Sequence, residues 1–166
     1  MADTPVYWVT PRLGVGPFIS PPRALALKLA GVTDILNVSD SRTFPETLAA
    51  GFRSVVWVPI ADFVPIIEED VISILTALDT MFLAPSPVVF VHCLAGYNRS
   101  PTAIWLYLRS LGVNAEVAQQ MIEQASPKSV GGHPLLVSAE TTNATIAHRL
   151  SRSSETTEEL RRVVLD

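Results

Sequence analysis

The stretch "VHCLAGYNRSPTAIWLYL", residues 91–108, constrains the fold more than any other part of the chain. The run leading into it, "PSPVVFVH", is continuous, apolar and rich in β-branched residues, the pattern of a strand buried on both faces. The run leaving it, "SPTAIWLYLRSLG", is apolar almost all round and suits a central helix entered at Ser100 and Pro101. Between them lie Cys93, the single cysteine of the chain, and then Gly96 and Arg99. A buried strand, a short glycine-bearing loop and a helix N-terminus together make an anion cradle, because loop N–H groups and the positive end of the helix dipole converge on one point.

The remaining elements are read around that centre. Short strands are expected at 6–9 and within 12–19, and "SPPRALALKLAG" supplies a helix with Ser20 as N-cap, Pro21 at its first position and Gly31 as its stop. "TDILNVS" reads as a buried strand, "FPETLAAG" as a short helix and "FRSVVWVPI" as a second β-rich run ended by Pro59. The segment 61–70 reads as a loop running into the acidic first turn of a helix that extends to about Leu83, with Val71, Ile72, Leu75, Leu78 and Phe82 on its apolar face. Further helices are expected at about 114–125 and 134–150, and 151–166 is a polar helix or tail. Strands interleaved with helices predict a single α/β domain, a central and mostly parallel sheet flanked by helices, over 1–150.

Composition narrows the function classes. No apolar run reaches the roughly 18 residues of a membrane span, and "MADTPVYWVT" lacks the basic and apolar regions of a signal peptide, so a cytoplasmic location without membrane insertion is expected. One cysteine can form neither an internal disulfide nor a Cys-rich zinc site, and the glycosylation triplets at Asn37, Asn98 and Asn143 read as chance. A net charge of −4 gives no general attraction to nucleic acid, so anion recognition has to be local. Cys93 at the floor of the cradle fits that need. The helix dipole and Arg99 favour thiolate over thiol, and the planar guanidinium can hold two oxygens of a tetrahedral oxyanion.

"HCLAGYNRS" fits His-Cys-x2-Gly-x2-Arg-Ser and so resembles the signature of the cysteine-dependent protein tyrosine phosphatases, and "GYNRSPT" looks like their small dual-specificity branch. Five fixed residue types would coincide in a chain of this length with a probability on the order of 10⁻⁵. "RLGVGPF", "GVTDILNVSD" and "VPIADF" extend the resemblance to roughly residues 6–150. It implies that Cys93 attacks phosphorus to form a phosphocysteine, while Arg99 and the N–H groups of Leu94, Ala95, Gly96, Tyr97, Asn98 and Arg99 hold the equatorial oxygens. It also implies that Ser100 hydrogen-bonds the sulfur, that His92 orders the loop from behind, and that an aspartate on a loop before the cysteine is the general acid. Asp62, 31 positions before Cys93 and directly after a predicted strand, fits that role, with Glu68, Glu69 and Asp70 as competitors.

The expected substrate is a phosphorylated protein, with phosphotyrosine favoured and phosphoserine or phosphothreonine allowed, and no metal or cofactor is implied. A phosphoinositide, carbohydrate or nucleotide ester is the alternative substrate, and a phospho-binding module without turnover the alternative class. Sulfur transfer on a rhodanese-like fold fits less well, given Asp62 and the Cys93 to Arg99 spacing. An inert core cysteine is the bland reading, and Gly96, Arg99 and Ser100 argue against it. Trp8, Trp57 and Trp105 read as core residues, His148 as a helix-surface residue and His133 as a loop residue outside any metal-spaced cluster. Arg42 and Arg53 are possible neighbours of the cleft. Nothing in the pattern specifies an oligomeric state.

Overall fold

The computed structural model describes residues 6–166. Five strands form one sheet in the order β1-β2-β5-β3-β4. They are β1 (Tyr7–Thr10), β2 (Leu13–Gly16), β3 (Asp34–Asn37), β4 (Ser54–Trp57) and β5 (Val89–His92). β1 pairs antiparallel with β2 as an edge hairpin, and every other pairing is parallel. The helices are α1 (Pro21–Leu29), α2 (Pro45–Leu48), α3 (Glu68–Leu83), α4 (Arg99–Ser110), α5 (Ala115–Ala125), α6 (Ala139–Ser151) and α7 (Ser154–Leu165).

The central strand β5 shows why both faces of the sheet must be covered. Val89 and Val91 point into the larger core with α3, α4, α6 and α7, whereas Phe90 joins Ala24, Leu27 and Ile35 in a smaller core under α1. All residues of β5 are buried, so its two-residue alternation separates two apolar layers rather than a core from solvent. Parallel strands end at one edge, and the loops after β3 and β5 therefore open side by side, the usual place for a ligand in such sheets.

Several boundaries differ from the sequence expectation. On α3 the buried face is Val71, Ile74, Leu75, Leu78, Met81 and Phe82, and Ile72 is exposed. At about 100° per residue the buried positions span an arc of about 120° from Met81 through Ile74, Leu78, Val71 and Phe82 to Leu75, while Ile72 falls about 60° beyond its edge. α6 begins at Ala139, not near 134, because Ser138 and Thr141 form a capping box that fixes the start. Before it the chain makes a turn from His133, and the Leu136 carbonyl accepts from the Ile66 N–H. The second strand is confined to Leu13–Gly16. Within 151–166, Ser151 ends α6 and Ser154–Leu165 form α7, which sends Leu160 and Val164 into the main core.

Trp8 and Trp57 are not core residues. They sit on the two edge strands and are 39% and 38% exposed, Trp57 donating its indole N–H to the Ser39 carbonyl. Trp105 is partly buried against the main core. His148 is not a surface residue either, because its ring is largely buried and bonds Asp79 at 2.8 Å. Arg53 pairs with Asp34 at 2.7 Å at the start of β3, the end of the sheet away from the Cys93 loop.

Candidate active site

The loop between β5 and α4 is shaped by where its carbonyls go. The Leu94 carbonyl accepts from the Phe18 N–H at 2.9 Å, the Gly96 carbonyl from the Ser129 hydroxyl at 2.9 Å, and the Tyr97 carbonyl from the Val130 N–H at 2.7 Å. With these oxygens held outward, the N–H groups turn to the concave side. Among the described residues none of the N–H groups from Leu94 to Arg99 has a hydrogen-bond acceptor within the chain. Gly96 makes the reversal possible. Its φ is +80°, and a Cβ there would lie 2.7 Å from the Gly16 carbonyl carbon, so the position excludes side chains on two counts.

Cys93 and Ser100 are both buried beneath this loop, and their Sγ and Oγ atoms are 3.2 Å apart. His92 lies behind the loop, fully buried between Phe18 and Phe90. Its Nδ1 is 3.1 Å from the Cys93 carbonyl oxygen, so Nδ1 carries the proton and donates. Burial lowers the His92 pKa to about 4, the Cys93 carbonyl bond opposes that shift, and the nearby charge of Arg23 adds to it. His92 is therefore neutral across the physiological range and acts on the loop by orientation rather than by charge.

Arg99 is buried, with its guanidinium between two carboxylates. Nη1 donates to Asp40 Oδ1 at 3.0 Å and to the Ile60 carbonyl at 3.1 Å. Nε is buried without a hydrogen-bond partner and lies 3.9 Å from Asp62 Oδ2. The hydrogen bond and charge of Arg99 hold the Asp40 carboxyl below its ordinary range. Asp62 is further fixed by accepting from the Phe63 N–H at 3.0 Å and lies 3.5 Å from Asn98 Nδ2. Cys93, Ser100, Arg99, Asp62 and Asn98 are thus brought to one place. Leu94, Ala95 and Tyr97 are exposed on the rim. Glu68, Glu69 and Asp70 form the first turn of α3 and make no ion pair or hydrogen bond with the loop.

Sequence reasoning missed Asp40, Ser126 and Ser129. Asp40 follows β3, which neighbours β5, and only that pairing reveals it. Ser126 and Ser129 bond each other at 2.6 Å, and together they brace the Gly96 carbonyl. The serines of "SPKS" were the available signal, though a serine-rich turn usually serves only itself. Among the described residues no group of three or more His, Cys, Asp and Glu could hold a metal, and no helix is long and apolar enough to cross a membrane.

No family profile and no curated protein matches this sequence. Solved structures do match the fold. Human DUSP28 aligns with a TM-score of 0.70 at 22% identity, covering 89% of this chain and 97% of that one. Tk-PTP in its active form aligns at 0.67 and 16% identity, with coverage of 89% and 97%. PTPMT1 in complex with PI(5)P aligns at 0.64 and 16% identity, with coverage of 95% and 96%. The chain has the fold of the small dual-specificity and tyrosine phosphatases: one α/β domain with a mixed, mostly parallel sheet.

Proposed function

We propose that this chain is a cysteine-dependent phosphatase that hydrolyses phosphate monoesters of phosphoproteins, phosphotyrosine above all, through a phosphocysteine intermediate. The observation that carries the reading is the cradle: carbonyls tied outward, N–H groups unpaired on the concave side, and Cys93 Sγ beneath them beside the Ser100 hydroxyl. A dianionic phosphate satisfies those donors and the unpartnered Arg99 Nε together. Among the solved neighbours are a tyrosine phosphatase, Tk-PTP, and human DUSP28, which supports the same chemistry.

In the first step the Cys93 thiolate attacks phosphorus, an S–P bond forms, and the P–O bond to the substrate breaks. Asp62, at the mouth of the cradle beside Arg99, gives its proton to the departing oxygen. In the second step Asp62, now a carboxylate, takes a proton from water as the water oxygen attacks phosphorus. The S–P bond breaks, and the electron pair returns to sulfur, where the Ser100 hydroxyl stabilises it. His92 holds the Cys93 carbonyl, and hence the start of the loop, through both steps. These steps draw on residues of the chain alone.

The rim supports the substrate class. Leu94, Tyr97 and Phe63, all 45% exposed or more, offer apolar surface beside the cradle, which suits an aromatic phosphoester. The alternative ester, a phosphoinositide, is favoured by the likeness to PTPMT1 solved with PI(5)P. A panel of phosphotyrosine, phosphoserine and phosphothreonine peptides, phosphoinositides and nucleotides, assayed in chelator, separates the readings. The proposal expects phosphotyrosine turnover that persists in chelator and disappears in Cys93→Ser. Turnover surviving that substitution removes the phosphocysteine, and a strong preference for phosphoinositide replaces the substrate assignment.

A further inference from the structure

Away from the cradle, beside the C-terminal half of α4, a cavity of about 290 Å³ opens between α4, α5 and α6. Its apolar walls are Trp105, Leu106, Ile146 and Leu150, its charged groups are Arg109 and Arg149, and no carboxylate lines it. Ile146 and Leu150 stand one turn apart on α6 and are 51% and 77% exposed, so the apolar surface continues outward past the cavity.

The charge around this cavity exceeds what the helix end needs. Arg109 donates to the Val113 carbonyl at 2.8 Å, Arg152 to the Ser110 carbonyl at 2.9 Å, and Arg161 to the Leu111 carbonyl. These bonds are ordinary compensation for a helix C-terminus. Arg149 is the surplus. Its side chain enters none of the ion pairs among the described residues, and it lies beside Arg161 over Gly112, where a Cβ would be 3.1 Å from one guanidinium and 3.3 Å from the other. Of the arginines at this end only Arg152 is paired with a carboxylate. A chain with net charge −4 has concentrated unpaired positive charge next to an open apolar cavity.

We propose that this cavity docks an acidic peptide segment of the phosphoprotein substrate, one large apolar side chain filling it and a flanking carboxylate meeting Arg149. The volume lies at the lower end of ligand pockets and suits a single anchor side chain. Ile146 and Leu150 wall the cavity and also present exposed surface past its mouth, which a peptide covers and a ligand confined to the cavity leaves open. From Arg99 to Arg109 the helix rises about 15 Å, and because α4 is buried a substrate passes over the surface, so about five extended residues is the least that joins cradle and cavity. That the segment belongs to the substrate rests on the proposed phosphatase activity; the binding itself does not.

The test uses the full chain and an unphosphorylated fluorescein-labelled peptide carrying one phenylalanine among glutamates, followed by anisotropy. The expected result is saturable binding that weakens about tenfold or more in Arg149→Glu, in Ile146→Asp and with a peptide whose glutamates are replaced by lysine. Both variants keep p-nitrophenyl phosphate turnover, which shows that they fold. Absence of saturable binding, binding indifferent to Arg149→Glu, or capture of phosphatidylserine vesicles in place of the peptide overturns the proposal. Joining the same segment to a phosphotyrosine through a series of glycine-serine linkers, from about five residues upward, should at the best length lower KM about tenfold without changing kcat, and only with Arg149 present. An unchanged KM overturns the substrate assignment. Peptide binding without any phosphatase activity supports the docking site and removes the proposed function.

Discussion

Two buried arginines, Arg152 and Arg99, each meet aspartate, and they are used in opposite ways. Arg152 is 4% exposed and grips Asp79 with Nε at 2.9 Å and Nη2 at 2.8 Å, while Nη1 and Nη2 also donate to the Ser110 carbonyl and hydroxyl. Its guanidinium lies over the Tyr107 ring, and Asp79 accepts further bonds from Tyr107 and His148. Burial pushes the Asp79 carboxyl up, but the bonds from His148 and Arg152 outweigh it and hold it below its ordinary range. The Arg99 side chain is 6% exposed, yet only Nη1 bonds the protein, to the Ile60 carbonyl and to one oxygen of an Asp40 that is 64% exposed. The fork of Arg152 is consumed in tying α3, α4 and α6 together. That of Arg99 is held in place by one arm, which leaves the rest for a ligand.

The sharpest test of this contrast is to substitute each arginine and compare activity with stability. Arg99→Lys keeps the charge and loses the fork, and kcat/KM should fall roughly 10³-fold with Tm little changed. If Arg99→Lys is nearly as active as the parent, the guanidinium is not holding the phosphate. Asp62→Asn comes next, with a loss of roughly 10² to 10⁴ on phosphopeptides and much less on a p-nitrophenyl ester, whose leaving oxygen needs little help. Equal losses on both leaving groups would reassign the general acid.

Arg152→Ala should show the reverse pattern, unfolding more easily by about 3–5 kcal/mol because Asp79 is left buried without its main partner, while kcat of the folded fraction is kept. Urea titration beside single-turnover assays reads both quantities. His92 connects the site to stability in a pH-dependent way. Its folded pKa of about 4 lies below the ordinary 6.5, so the unfolded chain binds a proton that the folded chain refuses. This contribution is complete above about pH 6.5 and is lost as pH falls toward 4, by roughly 3 kcal/mol. In His92→Asn the slope of stability against pH over that window should flatten, and an unchanged slope would place the titrating group elsewhere. The smallest effect belongs to Asp40→Asn, a several-fold change in KM for phosphate esters with Tm unaffected, since an exposed carboxylate steers Arg99 and adds little to folding.

The sequence made legible what is contiguous. Cys93 to Ser100 are contiguous, so strand, loop and helix chemistry could be read together, whereas Asp62 came from the resemblance, which implies an acid on a loop before the cysteine, its place after a β-rich run only selecting it. Asp40 could not be found in this way, because its value depends on β3 lying beside β5. The same holds for Ser129, which reaches Gly96 from a separate turn, and for His148, which helical periodicity assigned to the surface until α6 packed against α3 and met Asp79. Ile72 and the start of α6 failed for a more local reason. A stripe of apolar residues does not specify its own edge, and the helix expected from about 134 begins later, at the Ser138 capping box.

The placement of Gly96 against Gly16 has a consequence for the order in which the molecule is made. β2 lies near the start of the chain and pairs with β1 at once, yet its other neighbour is β5, with Leu13 opposite Val89, and the loop carbonyl of Leu94 is held by Phe18. Pairings so distant in sequence are slow to close, because the intervening chain must lose its freedom first. The cradle therefore cannot exist in a partly synthesised chain that holds only the N-terminal strands, nor before the brace from Ser129 has been added. In a chain emerging from its N-terminus, Cys93 first acquires its setting in the same event that completes the core.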